Sequence, residues 1–138
     1  MNKARGSCQC GGVVFTADGQ PNGITNCHCR MCQKASGAPY VTWVEFSADA
    51  VRWMGVEPAW RASSDAAERG FCPECGTPVA FVYNQGRDID LPSVLFDDPE
   101  RFRPGDEIWT DSRRSWVVLN ARLPHHAQER SHEASEDV

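Results

Sequence analysis

Cys27-His28-Cys29-Arg30-Met31-Cys32 puts three thiols within six residues, and how that stretch is read decides what kind of fold the chain can have. Sulfurs one or two residues apart can close on a single metal ion, each at about 2.3 Å, whereas disulfide partners usually lie farther apart in sequence. Two more groups flank it, Cys8-Gln9-Cys10 upstream and Cys72-Pro73-Glu74-Cys75 downstream. Seven cysteines would strand one thiol in a fully paired disulfide framework. Four plus three has a direct meaning for zinc: structural sites are closed by four protein ligands, while catalytic sites hold three and leave one position open.

Cys8, Cys10, Cys72 and Cys75 read as the two halves of a closed site. Phe71-Cys72-Pro73-Glu74-Cys75-Gly76 has the form of a zinc knuckle, in which Gly76 supplies the positive φ that turns backbone N–H groups toward sulfur. The Gly11-Gly12 pair after Cys10 permits a similar reversal. Four buried structural thiols are the alternative. Iron would call for two C-x-x-C knuckles, and Cys8/Cys10 departs from that. Cys27, Cys29 and Cys32 offer three ligands and no obvious fourth. His28 lies between two of them, but in an extended stretch its side chain points away from theirs, so it is expected in a supporting or surface role. His125, His126 and His132 fall in or beside a polar tail and are expected to be solvated.

The chain has 138 residues, 41% of them hydrophobic, which suits one domain with a modest core. Bound structural zinc, worth about 10–16 kcal/mol in small domains, would supply much of the stability. A net charge of −5 argues against nucleic acid as a partner, since phosphate binding calls for a basic face. No apolar run is long enough to span a membrane, and Met1 to Thr16 lacks the hydrophobic stretch of a signal peptide. Clustered thiols fit a reducing cytoplasm.

Short apolar runs set the expected elements. Val13 to Thr16, Ile24 to Asn26, Tyr40 to Phe46, Val51 to Met54, Pro78 to Tyr83, Ile89 to Phe96 and Trp116 to Leu119 read as strands. Arg30 to Ser36 predicts a short helix ending before Gly37, and Asp97 to Phe102 a Pro-containing helical turn. Trp60 to Arg69 reads as a polar loop. With no long amphipathic helix, the fold class is mainly β with short helical turns. Residues 127–138 read as a polar, disordered tail.

The chain resembles the glutathione-dependent formaldehyde-activating enzyme (GFA) family, whose eukaryotic relatives include centromere protein V. The matching residues run from Gly6-Ser7-Cys8-Gln9-Cys10-Gly11 through Cys27-His28-Cys29-Arg30-Met31-Cys32-Gln33-Lys34, Ser36-Gly37-Ala38-Pro39 and Phe71-Cys72-Pro73-Glu74-Cys75-Gly76-Thr77. They continue in Asp97-Asp98-Pro99, Ile108-Trp109-Thr110-Asp111-Ser112-Arg113, Trp116 and Leu123-Pro124. The resemblance implies layered antiparallel sheets (a β-tent) over residues 1–126 and two zinc ions per chain. Cys8, Cys10, Cys72 and Cys75 would hold a structural zinc, and Cys27, Cys29 and Cys32 the zinc tied to activity. It further implies carbon-sulfur lyase-type chemistry joining glutathione and formaldehyde as S-hydroxymethylglutathione. A zinc-stabilised binding module without turnover is the competing reading.

A thiol partner such as glutathione carries carboxylates that want cationic or N–H donors. Arg30 and Lys34 sit four residues apart on one face of the expected helix, and Arg113 and Arg114 are further candidates. Exposed basic residues more often only solvate a surface. Glu45 and Asp111 are candidate proton shuttles, while Tyr40, Trp43 and Trp53 either wall a pocket or pack the core. Ser112 and Trp116 are expected to pack and turn the chain. The tryptophan at 116 lacks the proline that often precedes it in the family, which leaves glutathione specificity open.

Overall fold

Val13, Phe15 and Ala17 are fully buried while Val14 and Thr16 between them are not, the two-residue alternation of a strand with one face on a core. The computed structural model describes residues 3–129. Its strands are β1 (Lys3–Ser7), β2 (Val13–Asp18), β3 (Gly23–Cys27), β4 (Val41–Ser47), β5 (Val51–Gly55), β6 (Ala59–Ala62), β7 (Ala67–Phe71), β8 (Pro78–Tyr83), β9 (Asp88–Pro92) and β10 (Asp106–Ile108). One α-helix, α1 (Arg30–Ser36), and single 3-10 turns at Ala48–Ala50, Ser93–Leu95, Pro99–Arg101 and Thr110–Ser112 complete the described chain. No helix among the described residues is long and apolar enough to cross a membrane.

The backbone gathers into two compact units. The first takes the chain up to Gly23 and Val44–Arg103. It holds an antiparallel sheet in the order β1-β2-β5 and a second run of strands in the order β4-β9-β8-β7-β6. Phe96 joins these layers, its ring 5.1 Å from Phe15 of β2 and 6.2 Å from Phe46 of β4, with Phe102 at 4.4 Å. Edge-on and tilted aromatic packing of this kind adds about 0.5–1.5 kcal/mol per pair to the burial itself.

The second unit takes Ile24–Trp43 and the chain from Pro104 onward. Here β3 lies between β10 and the start of β4. α1 follows β3 after two residues. Cys29 caps its first turn by accepting from the Cys32 N–H, and Gly37 N–H closes its end on the Gln33 carbonyl at 2.8 Å.

The mainly β class, the layering, the short helix and the helical turn near Pro99 are as the sequence predicts. Four expectations change. Trp116 to Leu119 is not a strand: among the described residues no neighbouring strand pairs with it, a turn from Arg114 to Val117 (2.9 Å) interrupts it, and Trp116 and Val118 are 69% and 93% exposed. The supposed polar loop at Trp60 to Arg69 is the β6–β7 hairpin, with Arg69 buried over the Phe81 ring at 4.8 Å and bonded to Ser63. Of the run from Ile89 to Phe96, only the first part is strand. The sheets are not wholly antiparallel, because β10 pairs with β3 in parallel. Part of the expected tail, residues 130–138 with His132, lies outside the described residues.

Candidate metal centres

The seven sulfurs gather into two groups, Cys8 with Cys10, Cys72 and Cys75, and Cys27 with Cys29 and Cys32, the atoms in each lying within 4.8 Å of one another. Among the described residues no further His, Asp or Glu joins either group. Sulfur pairs in the first lie at 3.6 Å (Cys8, Cys10) and 3.9 Å (Cys10, Cys72), and in the second at 3.6 Å (Cys27, Cys32). A tetrahedral ion with bonds of about 2.3 Å sets its ligands about 3.8 Å apart. Both groups therefore fit a zinc-sized ion, and all-sulfur donors favour zinc or another thiophilic metal over magnesium or calcium.

The four-cysteine group is made by two reversals in the first unit. After β1 the chain turns so that Cys8 N–H meets Val13 O at 3.0 Å, while the N–H groups of Val13 and Gly12 point at the sulfurs of Cys8 and Cys10 (3.3 and 3.4 Å). In the knuckle, Gly76 takes φ 82°, and the N–H groups of Glu74 and Cys75 point at Cys72 sulfur (3.4 and 3.5 Å). The register shift at Gly70/Phe71 in β7 falls immediately before this knuckle. Thr77 ties the halves together: its hydroxyl lies 3.1 Å from Cys75 sulfur and accepts from the Gln9 N–H at 3.1 Å.

Electrostatics follow from these donors. The Thr77 hydroxyl and backbone draw the Cys75 thiol down to about 5. Burial opposes ionisation of Cys8, but the Val13 N–H and the thiols of Cys10 and Cys72 outweigh it, so Cys8 is also lowered. Cys10 is helped by the Gly12 N–H yet pushed up to about 12 by sharing hydrogens with Cys8 and Cys75. Adjacent thiols cannot all ionise without a cation to offset their charge.

In the three-cysteine group, Cys27 ends β3, Cys29 is the cap of α1 and Cys32 lies in its first turn. Cys27 and Cys32 are buried and Cys29 is half-buried. The neighbouring thiols of Cys29 and Cys32, then burial, push Cys27 strongly upward. The Cys27 thiol favours ionisation of Cys29, but Cys32 and burial prevail, so Cys29 is raised too. This cluster is drier than the first, in which Cys10 is exposed.

Behind it lies a polar network that the sequence reading missed. His28 is not at the surface, being 1% exposed, and its Nε2 sits 2.6 Å from Glu107 of β10, itself 3% exposed. The other Glu107 oxygen accepts from Asn26 Nδ2 (3.2 Å) and the Asn120 N–H (3.1 Å), and Asn26 accepts from Thr42 (2.6 Å). Where the Glu107 carboxylate is ionised it only accepts, and Nε2 of His28 is then the donor of the pair. The other ring nitrogen of His28, Nδ1, is placed differently, buried without a partner. Gln33 is buried as well, donating to the carbonyls of His28 (2.6 Å) and Ser112 (3.0 Å).

Of the other candidates, Arg30 donates to Gln33 Oε1 at 2.7 Å, while Lys34 and Arg113 are exposed without a side-chain hydrogen bond or ion pair among the described residues. Asp111 is exposed, and Glu45 is half-buried in β4. Trp43 is core at 7% exposed, whereas Tyr40 is 39% exposed and stacks at 4.9 Å on His28. His126 is not solvated throughout: it is partly buried, 3.5 Å from Asp106. His125 is exposed, bonded to the Asn120 carbonyl.

Comparison with known proteins points the same way. A profile of the family described as glutathione-dependent formaldehyde-activating enzyme matches residues 3–112. An uncharacterized lyase of Schizosaccharomyces pombe is 29% identical over 87 residues, which is 63% of this chain and 63% of the relative. The matched region thus spans less than two thirds of that relative. A crystal structure of a Rhodobacter sphaeroides protein shares the fold with TM-score 0.58 at 13% identity, over 88% of this chain and 98% of that one.

Proposed function

The chain belongs to the glutathione-dependent formaldehyde-activating enzyme family, and from that premise we propose that it is a zinc-dependent enzyme of the carbon-sulfur lyase type acting on a thiol-aldehyde adduct, with glutathione and formaldehyde as the leading pair. Cys8, Cys10, Cys72 and Cys75 are the ligands of a structural zinc, and Cys27, Cys29 and Cys32 those of a second. One observation carries this reading: the second group has three sulfurs and no fourth protein ligand among the described residues, the pattern of a site that keeps a position for substrate. Zinc bound there lowers the pKa of a thiol enough to make it a nucleophile at neutral pH.

The protein's own groups provide placement. Capping by Cys29 and the buried Glu107–His28 pair hold the sulfurs on a rigid strand-to-helix junction. Burial of Cys27 and Cys32 keeps water from that side. In the addition direction a C–S bond forms between thiol sulfur and aldehyde carbon, and the thiol proton ends on the aldehyde oxygen. Cleavage of the adduct is the reverse. Of the cations expected to meet a substrate carboxylate, Arg30 is held beside the sulfurs by Gln33 and is the candidate contact, whereas Lys34 and Arg113 are exposed and unanchored. Residues 1–126 form the working domain in this account, in a reducing compartment such as the cytoplasm that keeps the thiols free.

The test is formaldehyde consumption with glutathione, and formaldehyde release from preformed adduct, using zinc-replete protein. Acceleration above the spontaneous rate, lost in Cys29→Ser, supports the proposal. An unchanged rate at full zinc loading overturns it and leaves a non-catalytic binding module.

A further inference from the structure

We propose that Arg30 and Arg114, organised by the buried amide of Gln33, form a recognition site for the carboxylate of the thiol substrate, so that the protein selects acidic thiols over neutral ones. The inference rests on the reading that the three-cysteine group binds a thiol.

Gln33 follows Cys32 directly and is 6% exposed. Its NH2 group donates to His28 O at 2.6 Å and Ser112 O at 3.0 Å. Both amide hydrogens are used on carbonyls, which fixes the amide's orientation and leaves Oε1 to accept from Arg30 at 2.7 Å. The same Ser112 carbonyl accepts from Arg114 at 3.1 Å. One amide and one carbonyl thus tie the two guanidinium groups together, their bonded nitrogens less than about 11 Å apart, with Arg30 next in chain to Cys29.

Three features make this pair a site rather than surface charge. Neither guanidinium has a carboxylate partner among the described residues, so each is aimed by a neutral acceptor without being neutralised. Arg114 Nε is buried with no hydrogen-bond partner, a condition that folded proteins rarely leave without a ligand or water. Arg presents a planar fork of donors matched to a carboxylate. Arg30 is exposed like Lys34 and Arg113, but those two have no side-chain hydrogen bond among the described residues, so ordering them would cost binding energy that the hydrogen-bonded Arg30 and Arg114 have already lost on folding.

The test uses the full chain loaded with cobalt, whose sulfur charge-transfer band reports thiol entry. Glutathione, its diethyl ester and 2-mercaptoethanol are titrated against the parent and against Arg114→Gln, Arg30→Gln and Arg113→Gln, with cobalt per chain measured for each. The proposal expects Arg114→Gln and Arg30→Gln to raise the Kd for glutathione about tenfold or more while leaving the ester and the neutral thiol unchanged, as loss of a charge-assisted hydrogen bond would. Arg113→Gln has no such effect, and Arg114→Lys restores only part of the loss. An unchanged glutathione Kd in Arg114→Gln overturns the proposal, as does equal weakening of all three thiols or loss of cobalt uptake, which would make Arg114 structural. If thiols shift the parent's band but the variants do not discriminate, the recognition pair alone fails. If no thiol shifts the parent's band, the open metal position fails and takes this inference with it.

Discussion

Removing the Glu107 carboxylate should destabilise the second unit more than any other single polar change. The side chain is 3% exposed and serves three donors: His28 Nε2 at 2.6 Å, Asn26 Nδ2 at 3.2 Å and the Asn120 N–H at 3.1 Å. Glu107→Ala leaves all three inside without an acceptor. Each buried orphan costs about 1–3 kcal/mol, so a loss of about 4 kcal/mol is expected from the three together. Domain stabilities are about 5–15 kcal/mol, so this is a large fraction. Glu107→Gln keeps one oxygen, but its NH2 must face donors on one side. If it faces His28, the imidazole hydrogen moves to Nδ1, which has no partner, and about 1–3 kcal/mol is lost. Urea unfolding of the zinc-loaded chain, followed by circular dichroism, should rank parent, Gln and Ala in that order. Because His28 lies between Cys27 and Cys29, chelator competition should also show second-site zinc weakened by about tenfold or more, as for other groups that orient metal ligands. Both variants unfolding within about 0.5 kcal/mol of the parent, with metal affinity unchanged, would refute a structural role for the network.

Acid should empty the two metal groups in sequence. Cys75 is drawn down to about 5 by Thr77, so its thiolate stabilises the fold fully above the ordinary thiol value of 9.0 and that contribution is lost as pH falls through about 5. Cys27 and Cys29 are raised; their neutral form stabilises the metal-free fold below the ordinary value, a contribution lost as pH rises through the raised values. Protons therefore compete harder with metal at Cys27 and Cys29 than at Cys8 and Cys75, which are lowered, and a chromogenic chelator should detect zinc from the three-cysteine group first as pH falls. Two glycines separate strain from crowding. Gly76→Ala meets no atom within 4 Å but must hold φ +82°, a cost of about 1–2 kcal/mol. At Gly6 a Cβ would lie 2.6 Å from Leu95 O and against the Phe15 ring, so Gly6→Ala should cost more, about 3 kcal/mol, in the same urea assay. Cys72→Ser should lower thermal stability far more than Cys29→Ser, since Cys72 is wholly buried and belongs to the closed group.

The sulfur clusters were legible because their spacing is local: one or two residues separate each pair, and the knuckle's Gly76 marks its own turn. The same locality exposed β2, where Val13, Phe15 and Ala17 alternate, and the short α1 before Gly37. Glu107 was hidden because its partner is 79 residues away and Asp106-Glu107 after Pro104-Gly105 has the look of a surface turn. Only the parallel pairing of β10 with β3 turns that acid inward beside His28. Arg69 misled for a related reason, since polar residues around it suggested a loop while the Phe81 ring covers its guanidinium. Trp116 to Leu119 misled the other way, because apolar composition predicts a strand only where a neighbouring strand offers its N–H and C=O groups.

Metal stoichiometry tests the central claim most directly. Elemental analysis of chain purified without chelators should give two zinc ions per chain in the parent and one in Cys29→Ser with the fold retained. A single ion that Cys29→Ser leaves untouched, or cystines in place of metal at these positions, would contradict the account.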